Sequence, residues 1–386
     1  MTGAQGLDFV VVGAGIAGAS LAYRLAEAGS VLLLEQESQP GYHATGRSAA
    51  MFMESYGTPA VRALTRASRA FYDNPPDGFC EGSLLSPRGV IYLAGPEDGS
   101  LLDGTYEALA ATGGVVGRIG AADILRLVPA LREERVLAGV LESDAMDIDV
   151  HSLHQGFLRG MRRRGGSLRS NAQVVRGQRL DGAWLLTLAN GDQVRARSVI
   201  NSAGAWADEV AGVFGVARIG LEPRRRTAFT FDGPPAMEFS GWPVVCGIRE
   251  DYYFKPDAGR LLGSPANADP TVPHDVVPEE LDVATGIFHI ERVSRMTIRR
   301  PHRTWAGLRS FVRDGDLVIG WDQQCDGFFW LAGQGGYGIQ TAAAASELAA
   351  ALVLGRAVPE PMARHGVHAE HVSPGRLGGP CNDALR

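Results

Sequence analysis

The sequence predicts an α/β protein (α+β overall), in which a domain of alternating strands and helices is interleaved with a second, mostly antiparallel β domain. A strand–glycine turn–helix–strand unit opens the chain within residues 8–35. Buried-type strands and an alanine-rich helix return late, within residues 317–352. The stretches 52–145 and 225–308 contain short strands and turns instead, so we expect the chain to cross between the domains several times.

The opening unit is a βαβ motif. Residues 8–12 form a valine-rich apolar run, typical of a buried parallel strand, and residues 19–28 have helical periodicity. A second buried strand, residues 31–34, ends at Glu35. The turn between the first strand and the helix reads Gly13-Ala14-Gly15-Ile16-Ala17-Gly18. Strand, turn, helix and acidic residue therefore occur in the order that a nucleotide-binding unit requires.

The glycines of this turn have separate roles in such a unit. Gly13 makes the tight turn, Gly15 lets the backbone approach a pyrophosphate, and Gly18 lets the helix pack on the strand. The helix amino terminus offers free N–H groups and a positive dipole end to phosphates. Glu35 follows Gly13 by 22 residues, where a carboxylate can accept hydrogen bonds from ribose hydroxyls. We therefore predict a Rossmann-like dinucleotide site; the alternative is that the glycines serve packing alone.

The next segment separates FAD from NAD as the dinucleotide. It reads GYHATGRSAA over residues 41–50 and is small, polar and glycine-rich with one cation. Such a loop can run alongside an extended cofactor and bring Arg47 and Ser48 to its phosphates. An NAD enzyme would usually continue directly into further alternating strands and helices. The segment therefore favours FAD.

The composition, 45% hydrophobic and 21% charged residues in 386, is that of an ordinary globular protein. A net charge of −6 disfavours nucleic acid as a partner. We find no apolar run of the ~20 residues that a membrane helix needs, and the amino terminus lacks the cationic region of a signal peptide. Four widely spaced cysteines predict reduced thiols and no metal site. Reduced thiols are typical of a cytoplasmic protein, which is what we expect. His151 and His154 share a helix face but have no third ligand nearby, so we expect no metal there either.

Several longer segments resemble the FAD-dependent D-amino-acid oxidase superfamily, and within it bacterial D-arginine dehydrogenases and D-amino-acid dehydrogenases. The resemblance runs from about residue 7 to about residue 376. It implies a glutathione-reductase-type fold and non-covalently bound FAD. The segments that carry it are GYHATGRSAA, Tyr56-Gly57-Thr58-Pro59, Asp73-Asn74-Pro75-Pro76, Thr304-Trp305-Ala306-Gly307-Leu308-Arg309-Ser310-Phe311 and Gly335-Gly336-Tyr337-Gly338-Ile339-Gln340.

The later segments can be assigned to elements of this fold. Asp147-Ile148-Asp149 offers an N-cap for a helix over residues 151–164, and residues 171–175 follow as a strand. Asn190-Gly191 marks a hairpin. We expect a discontinuous FAD-binding domain, a substrate-binding domain and a short tail. The FAD-binding domain comprises residues 1–50, 146–224 and 309–376, the substrate-binding domain 51–145 and 225–308, and the tail 377–386.

The resemblance also implies the residues that contact the cofactor. They lie in the opening fingerprint, the 41–50 loop, a strand that returns to the adenine, and two glycine-rich loops nearer the flavin. The last loop places a helix amino terminus under the flavin's pyrimidine end. Besides the fingerprint residues and Glu35, the set comprises Gln36, His43, Thr45, Gly46, Arg47, Ser48, Ala49, Ala50, Val174, Val175, Ala203, Gly204, Trp206, Gly307, Arg309, Gly333, Gly335, Gly336, Tyr337, Gly338 and Ile339.

Oxidation of an amino acid at Cα requires an anchor for the carboxylate, and the planar fork of an arginine suits it. Arg309, inside the segment at 304–311, is our first choice and Arg226 the second. Tyr253 can hydrogen-bond the carboxylate. Tyr56 resembles the lid tyrosine of the family, and the carbonyl of Gly336 can accept a bond from the substrate amine.

Two positions depart from the arginine-specific relatives. Met51 stands where these relatives have a histidine, and Val90 stands where they have a glutamate that pairs with a cationic side chain. A guanidinium left unpaired in a closed pocket costs about 1–3 kcal/mol or more. We therefore expect an apolar side-chain pocket and a preference for apolar over cationic substrates.

These features predict FAD-dependent oxidative deamination of D-amino acids to 2-oxo acids and ammonia, with hydride passing from Cα to flavin N5. An oxidase of glycine or of an N-methylated amine is an alternative within the superfamily. A second alternative is an NAD-dependent dehydrogenase, and a third is a catalytically silent flavin-binding protein. The electron acceptor, oxygen or a quinone, and the oligomeric state stay open, although we expect a dehydrogenase rather than an oxidase.

Overall fold

The computed structural model describes residues 6–235 and 237–378. Residues 379–386 of the predicted tail lie outside the described residues. The strands in chain order are β1 (Leu7–Val12), β2 (Val31–Leu34), β3 (Met51–Phe52), β4 (Leu85–Pro87), β5 (Val90–Ala94), β6 (Val116–Gly120), β7 (Ala138–Glu142), β8 (Met146–Ile148), β9 (Ser167–Arg169), β10 (Val174–Leu180), β11 (Ala183–Leu188), β12 (Gln193–Asn201), β13 (Glu222–Phe231), β14 (Val244–Gly247), β15 (Tyr253–Asp257), β16 (Arg260–Ser264), β17 (Asp269–Pro270), β18 (Arg303–Phe311), β19 (Val318–Trp321) and β20 (Phe328–Ala332).

Most of the longer helices pack against strands from the amino- and carboxyl-terminal parts of the chain. In chain order they are α1 (Ile16–Leu25), α2 (Pro59–Asp73), α3 (Leu102–Ala110), α4 (Ala121–Leu127), α5 (Val150–Arg163), α6 (Ala207–Val213), α7 (Glu280–Val293), α8 (Gly338–Val353), α9 (Glu360–Arg364) and α10 (Ala369–Val372).

The first sheet contains the predicted βαβ unit. Its order is β10-β11-β12-β1-β2-β9, and β20 and β19 continue it beside β12. β1 pairs in parallel with β2 and with β12, and β12 pairs in parallel with β20. The carboxyl ends of these parallel strands therefore meet at one edge, which is where such sheets bind ligands.

The two faces of this sheet bury different partners because successive side chains point in opposite directions. Phe9 and Val11 lie in a core shared with α1, α2, α5 and α8. Val10 and Val12 lie in a second core with Trp184 of the hairpin and with α6. The strand β1 is thus covered on both faces, which explains its continuous apolar sequence.

The second sheet is mostly antiparallel, as expected. Its order is β17-β13-β16-β15-β14-β5-β7-β6, and β18 pairs with β13 along its whole length. Only the β14–β5 pair among its described pairs is parallel. A small third sheet, β3-β8-β4, pairs one strand of the predicted FAD-binding domain, β8, with two strands of the predicted substrate-binding domain. The α/β fold with an interleaved antiparallel sheet is therefore confirmed.

Most predicted elements are present, although several boundaries differ by one to three residues. The hairpin at Asn190-Gly191 forms with Gly191 at φ +89°, and Asp149 caps α5 by accepting from Ser152 N at 2.8 Å. The first helix begins earlier, at Ile16, because it starts within the fingerprint. The strand predicted over 171–175 is wrong in its start: Asn171 has φ +51°, so β10 begins only at Val174.

The division of the chain into two domains stays a prediction. β13 runs through the predicted boundary after residue 224, and β18 runs through that before residue 309. Both strands belong to the second sheet along their whole length. The chain therefore passes between the sheets where β13 begins and where β18 ends. Both predicted boundaries fall inside these strands rather than in a flexible linker.

Candidate active site

One cavity collects most of the predicted site residues. Its lining combines the fingerprint turn, the 41–50 loop, β13, β15, β18 and the turn before α8. The predicted residues that line it are Gly13, Gly15, Ile16, Ala17, Glu35, Gln36, His43, Thr45, Arg47, Ser48, Ala49, Val174, Ala203, Gly204, Trp206, Arg226, Tyr253, Gly307, Arg309, Gly335, Gly336, Gly338 and Ile339. Those that do not line it are Gly18, Gly46, Ala50, Met51, Tyr56, Val90, Val175, Gly333 and Tyr337.

The fingerprint turn has the geometry of a phosphate cradle. Gly13 adopts φ +99°, and a Cβ there would lie 2.5 Å from Ser202 O. A Cβ on Gly18 would lie 1.9 Å from Gly13 O, so Gly18 allows helix and strand to approach even though it does not face the cavity. Gly15 is the N-cap of α1 and has no side chain to cover the first turn. Ile16 N in the first turn donates to Thr45 Oγ1 at 3.0 Å, and the positive end of α1 lines the cavity, where an anion can bind.

Glu35 is bound from two sides at the end of β2. Its Oε2 accepts from Ala14 N at 2.8 Å, and its Oε1 accepts from Glu37 N at 3.0 Å. The side chain is buried but lines the cavity. Each oxygen keeps a lone pair, so the oriented carboxylate can also accept from ribose hydroxyls. These residues fit the adenosine and pyrophosphate half of FAD.

The 41–50 loop is tied to a segment that the sequence reasoning missed. Arg47 Nη1 donates to the carbonyls of Val276 and Ala306, each at 3.0 Å, and its guanidinium pairs with Asp275. His43 packs on Trp206 with ring centroids 4.5 Å apart. Local sequence offers no signal for Asp275, because only the tertiary fold brings residues 274–276 to this loop. The predicted phosphate contact of Arg47 stays a prediction.

The turn before α8 brings a second helix amino terminus to the cavity. Gly338 and Ile339, the first residues of α8, line it. Gly335 has φ +53° and its N–H donates to Ser310 O at 2.8 Å. A Cβ on Gly336 would lie 3.0 Å from Arg309 Nη1, so a larger residue would crowd the arginine. The dipole of α8 can stabilise negative charge on a reduced flavin.

Two half-buried arginines face this end of the cavity. Arg226 on β13 pairs with Gly307 of β18, and Arg309 lies two residues further along β18. Within the described residues neither guanidinium forms an ion pair with a carboxylate, and Arg226 Nε is buried without a hydrogen-bond partner. Burial lowers the pKa of Arg226, and the like charge of Arg309 lowers it further. Two such charges require an anion that the described chain does not supply.

Aromatic hydroxyl groups surround these arginines. Arg309 Nη1 donates to the Tyr56 hydroxyl at 3.3 Å. Burial acts to lower the pKa of Arg309, but Tyr56 and Tyr253 outweigh it and the pKa is raised. The Tyr56 ring packs edge-on against Tyr337 at 5.0 Å, and burial raises the pKa of Tyr337 to about 12. Tyr56 therefore touches the site through Arg309 rather than through the cavity wall.

Met51 and Val90 lie behind the cavity wall. Val90 is 2% exposed in an apolar cluster that Met51, Tyr56 and Tyr253 adjoin. Met51 Sδ lies 3.8 Å from Nζ of Lys255, the only lysine of the chain, which pairs with Asp147. Their effect on substrate choice stays a prediction.

His154 has a structural partner. Its Nε2 lies 2.9 Å from Ala14 O, and burial lowers the pKa of this imidazole. Across residues 6–235 and 237–378, no group of three or more histidine, cysteine or acidic side chains could hold a metal ion. Over the same ranges, the helices are all too short or too polar to cross a membrane.

Comparison with known proteins agrees with this geometry. Residues 8–352 match the family model described as FAD dependent oxidoreductase (DAO). Dimethylglycine dehydrogenase of Rattus norvegicus is 29% identical over 67% of this chain, but the match covers only 30% of that protein. Glycine oxidase of Bacillus licheniformis is 26% identical, covering 91% of this chain and 94% of the relative.

A solved structure shows the same fold. L-proline dehydrogenase from P. horikoshii superimposes with a TM-score of 0.81 at 19% identity, covering 97% of this chain and 98% of that one. The cradle and the oriented Glu35 suit the cofactor of such proteins. The chain therefore belongs to the DAO family of FAD-dependent oxidoreductases, and FAD is its cofactor.

Proposed function

We propose that this enzyme oxidises the Cα–N bond of a D-amino acid, and that the resulting imino acid hydrolyses to a 2-oxo acid and ammonia. The observation that carries the proposal is the pair Arg226 and Arg309 in the cavity wall, which lacks a carboxylate partner among the described residues. A substrate carboxylate supplies the missing anion. Bound FAD supplies the acceptor for the two electrons that leave Cα.

The carboxylate is held by charge-assisted hydrogen bonds. Arg309 presents its planar fork, Arg226 adds a second cation, and the Tyr253 hydroxyl lines the same cavity. The Tyr56 hydroxyl accepts from Arg309 Nη1 and so helps to hold the guanidinium in the orientation that grips the carboxylate. These contacts fix the orientation of Cα, which is the main contribution a positioning site makes to rate.

The amine end has a different environment. The Gly336 carbonyl is the acceptor we assign to the amine. The acidic residues among those lining the cavity, Glu35 and Glu209, belong to the fingerprint side and to α6. We therefore assign no general base, and the amine releases its proton to solvent before oxidation.

Apolar substrate side chains are favoured in this proposal. Ala228 lines the cavity two residues from Arg226 on β13, and Val90 belongs to the apolar cluster behind Tyr253. Burying an apolar side chain there gains about 25 cal/mol per Å². A cationic side chain would lose hydration without a partner.

The mode of FAD binding and the electron acceptor are further parts of the proposal. The described cysteines Cys80, Cys246 and Cys325 do not line the cavity, which supports non-covalent FAD. We propose a dehydrogenase that passes electrons to a quinone or another acceptor, on the resemblance of its motifs to dehydrogenases. Family membership excludes the NAD-dependent alternative.

Oxidation of glycine or of an N-methylated amine is the second candidate. Its support is the similarity to a glycine oxidase over 91% of this chain and to a dimethylglycine dehydrogenase over 67% of it. Both of those names describe a carboxylate-bearing amine, which the two arginines also suit.

An anaerobic screen tests these functions. Purified FAD-bound protein is mixed with D- and L-amino acids, glycine, sarcosine and dimethylglycine, and bleaching of the flavin absorbance is followed. We expect D-leucine, D-methionine or D-phenylalanine to bleach it fastest. Bleaching by glycine or dimethylglycine alone supports the second candidate. Bleaching by none, with FAD bound, refutes both and indicates a silent flavin-binding protein.

A further inference from the structure

Glu142 is a fully buried carboxyl group close to the substrate end. It ends β7 and is 0% exposed, directly opposite Val90 of β5 in the antiparallel register. Its Oε2 accepts from Ser55 Oγ at 2.7 Å, whereas Oε1 has no hydrogen-bond partner within the described residues. Burial raises the pKa of Glu142 to about 7, against the opposing effect of the Ser55 hydroxyl. A half-satisfied carboxyl destabilises a core, so an apolar residue would pack here at lower cost.

The partner of this carboxyl immediately precedes Tyr56. Tyr56 N donates to Met53 O at 3.3 Å, which places Ser55 inside a tight turn. The Tyr56 hydroxyl in turn contacts Arg309 Nη1 at 3.3 Å. A path of two hydrogen bonds and one peptide bond therefore joins Glu142 to the proposed carboxylate anchor.

The segment of residues 53–58, which contains Ser55 and Tyr56, is bonded to the rest of the protein at both ends. Met53 exchanges two hydrogen bonds with Gln340 of α8, both at 3.4 Å, and Thr58 bonds to Asp316. Gly57 between them has φ +96°, a conformation in which the chain can change direction sharply. Ser55 and Tyr56 lie between these two attachments, and Glu142 holds Ser55 from the second sheet.

We propose that Glu142 is a positioning residue for substrate binding: by holding Ser55 it places Tyr56 against Arg309. The inference rests on the proposed function, because it assigns Arg309 to the substrate carboxylate. Glu142 does not line the cavity, so it acts through the Ser55–Tyr56 turn and not on the substrate itself. The role requires a hydrogen-bond acceptor at position 142 and does not require a charge.

The test separates KM from kcat in the FAD-bound enzyme. We expect Glu142→Leu and Ser55→Ala each to raise KM for the best substrate about 10-fold, with kcat and FAD content within about two-fold of the parent. Glu142→Gln keeps an acceptor for Ser55 and should restore KM to within about three-fold. The double variant should be no worse than either single one, because both remove the same contact.

Glu54→Gln is the matched control. Glu54 neighbours Ser55 on the same segment, but its ion pair is with Arg69, at 3.7 Å. The KM of the Glu54→Gln variant should stay within about two-fold of the parent value. If Glu142→Leu does not fold, the small change Ser55→Ala carries the test alone.

Benzoate, a carboxylate that has no Cα–N bond to oxidise, distinguishes the two kinds of failure when its binding is followed by the change in flavin absorbance. A parent that oxidises no amino acid and binds no benzoate overturns the proposed function and this inference together. A parent that does either, with Ser55→Ala and Glu142→Leu unchanged in KM or benzoate affinity, overturns the positioning role alone. Additive effects in the double variant, or Glu142→Gln as impaired as Glu142→Leu, overturn it as well.

Discussion

At the cofactor end of the cavity, glycines of the fingerprint turn lie beside an oriented carboxylate, whereas at the substrate end two arginine side chains line the wall. At the cofactor end Gly13 and Gly15 expose a helix amino terminus, and Glu35 is bonded to two backbone N–H groups. At the substrate end Arg226 and Arg309 lie on neighbouring strands without a carboxylate partner among the described residues. The first end is complete before ligand arrives; the second has excess positive charge until a carboxylate enters.

Because the two ends differ in this way, FAD binding and substrate binding should be lost independently of each other. Backbone N–H groups at a helix terminus stay oriented whatever happens to one side chain, so FAD binding is spread over many contacts. The carboxylate contact depends on two guanidinium groups, so a single substitution removes much of it. Substitutions at each end should therefore separate FAD affinity from substrate affinity.

The largest expected effect is that of Arg309→Ala. It should lower kcat/KM by about 100-fold or more, roughly 3 kcal/mol, because a charge-assisted bidentate contact is lost. FAD content should be unchanged. Arg224→Ala is the control, since Arg224 is the register partner of Arg309 but pairs with Glu222 at 2.6 Å. Activity of Arg309→Ala within a few-fold of the parent would place the carboxylate elsewhere.

Glu35→Ala should weaken FAD binding without changing substrate binding. It removes the acceptor of Ala14 N and of the ribose hydroxyls, and should weaken FAD binding about 30-fold, roughly 2 kcal/mol. Fluorescence titration of the apoprotein with FAD measures the dissociation constant. With FAD at saturation, KM for the amino acid should match the parent. A changed KM and an unchanged FAD affinity would reverse the assignment of the two ends.

The adjacent residues Arg225 and Arg226 allow a paired arginine and a cavity-facing arginine to be tested side by side. Arg225 is held by Asp269, Glu279 and Asp282, while Arg226 faces the cavity. Arg226→Leu should raise KM about 10-fold without loss of thermal stability, because it removes an unpaired buried charge. Arg225→Leu should lower the melting temperature and leave KM near the parent value. The same response from both variants would show that the position facing the cavity is not special.

Side-chain selectivity is expected to give the smallest effect. Val90→Glu should shift selectivity about five-fold toward D-arginine and D-lysine through a new ion pair. Because Val90 lies opposite Glu142, the change is best made in a Glu142→Gln background, where two carboxyl groups do not compete for one proton. Val90→Gln in that background is the uncharged control. Steady-state kinetics showing equal selectivity for both variants would place the side-chain pocket elsewhere.

The sequence predicted the fold and the cofactor because their signals are local. The fingerprint turn, the following helix and Glu35 lie within 28 consecutive residues, from Asp8 to Glu35, and each has a backbone reason for its identity. The hairpin at Asn190-Gly191 was predicted for the same reason, since its turn needs φ > 0 at Gly191. The strand start at 171 was predicted wrongly because the left-handed conformation of Asn171 depends on contacts with residues 35–37.

The sequence alone therefore predicted the α/β fold, FAD as cofactor and the arginines worth testing. The three-dimensional contacts were needed to show which arginine of the 224–226 run faces the cavity, that Asp275 pairs with Arg47, and that Glu142 bonds to Ser55 next to Tyr56. The physical reason is that packing between distant segments sets these contacts, and that strand register sets which arginine faces the cavity. Register and face are properties of two strands together, and neither strand specifies them alone.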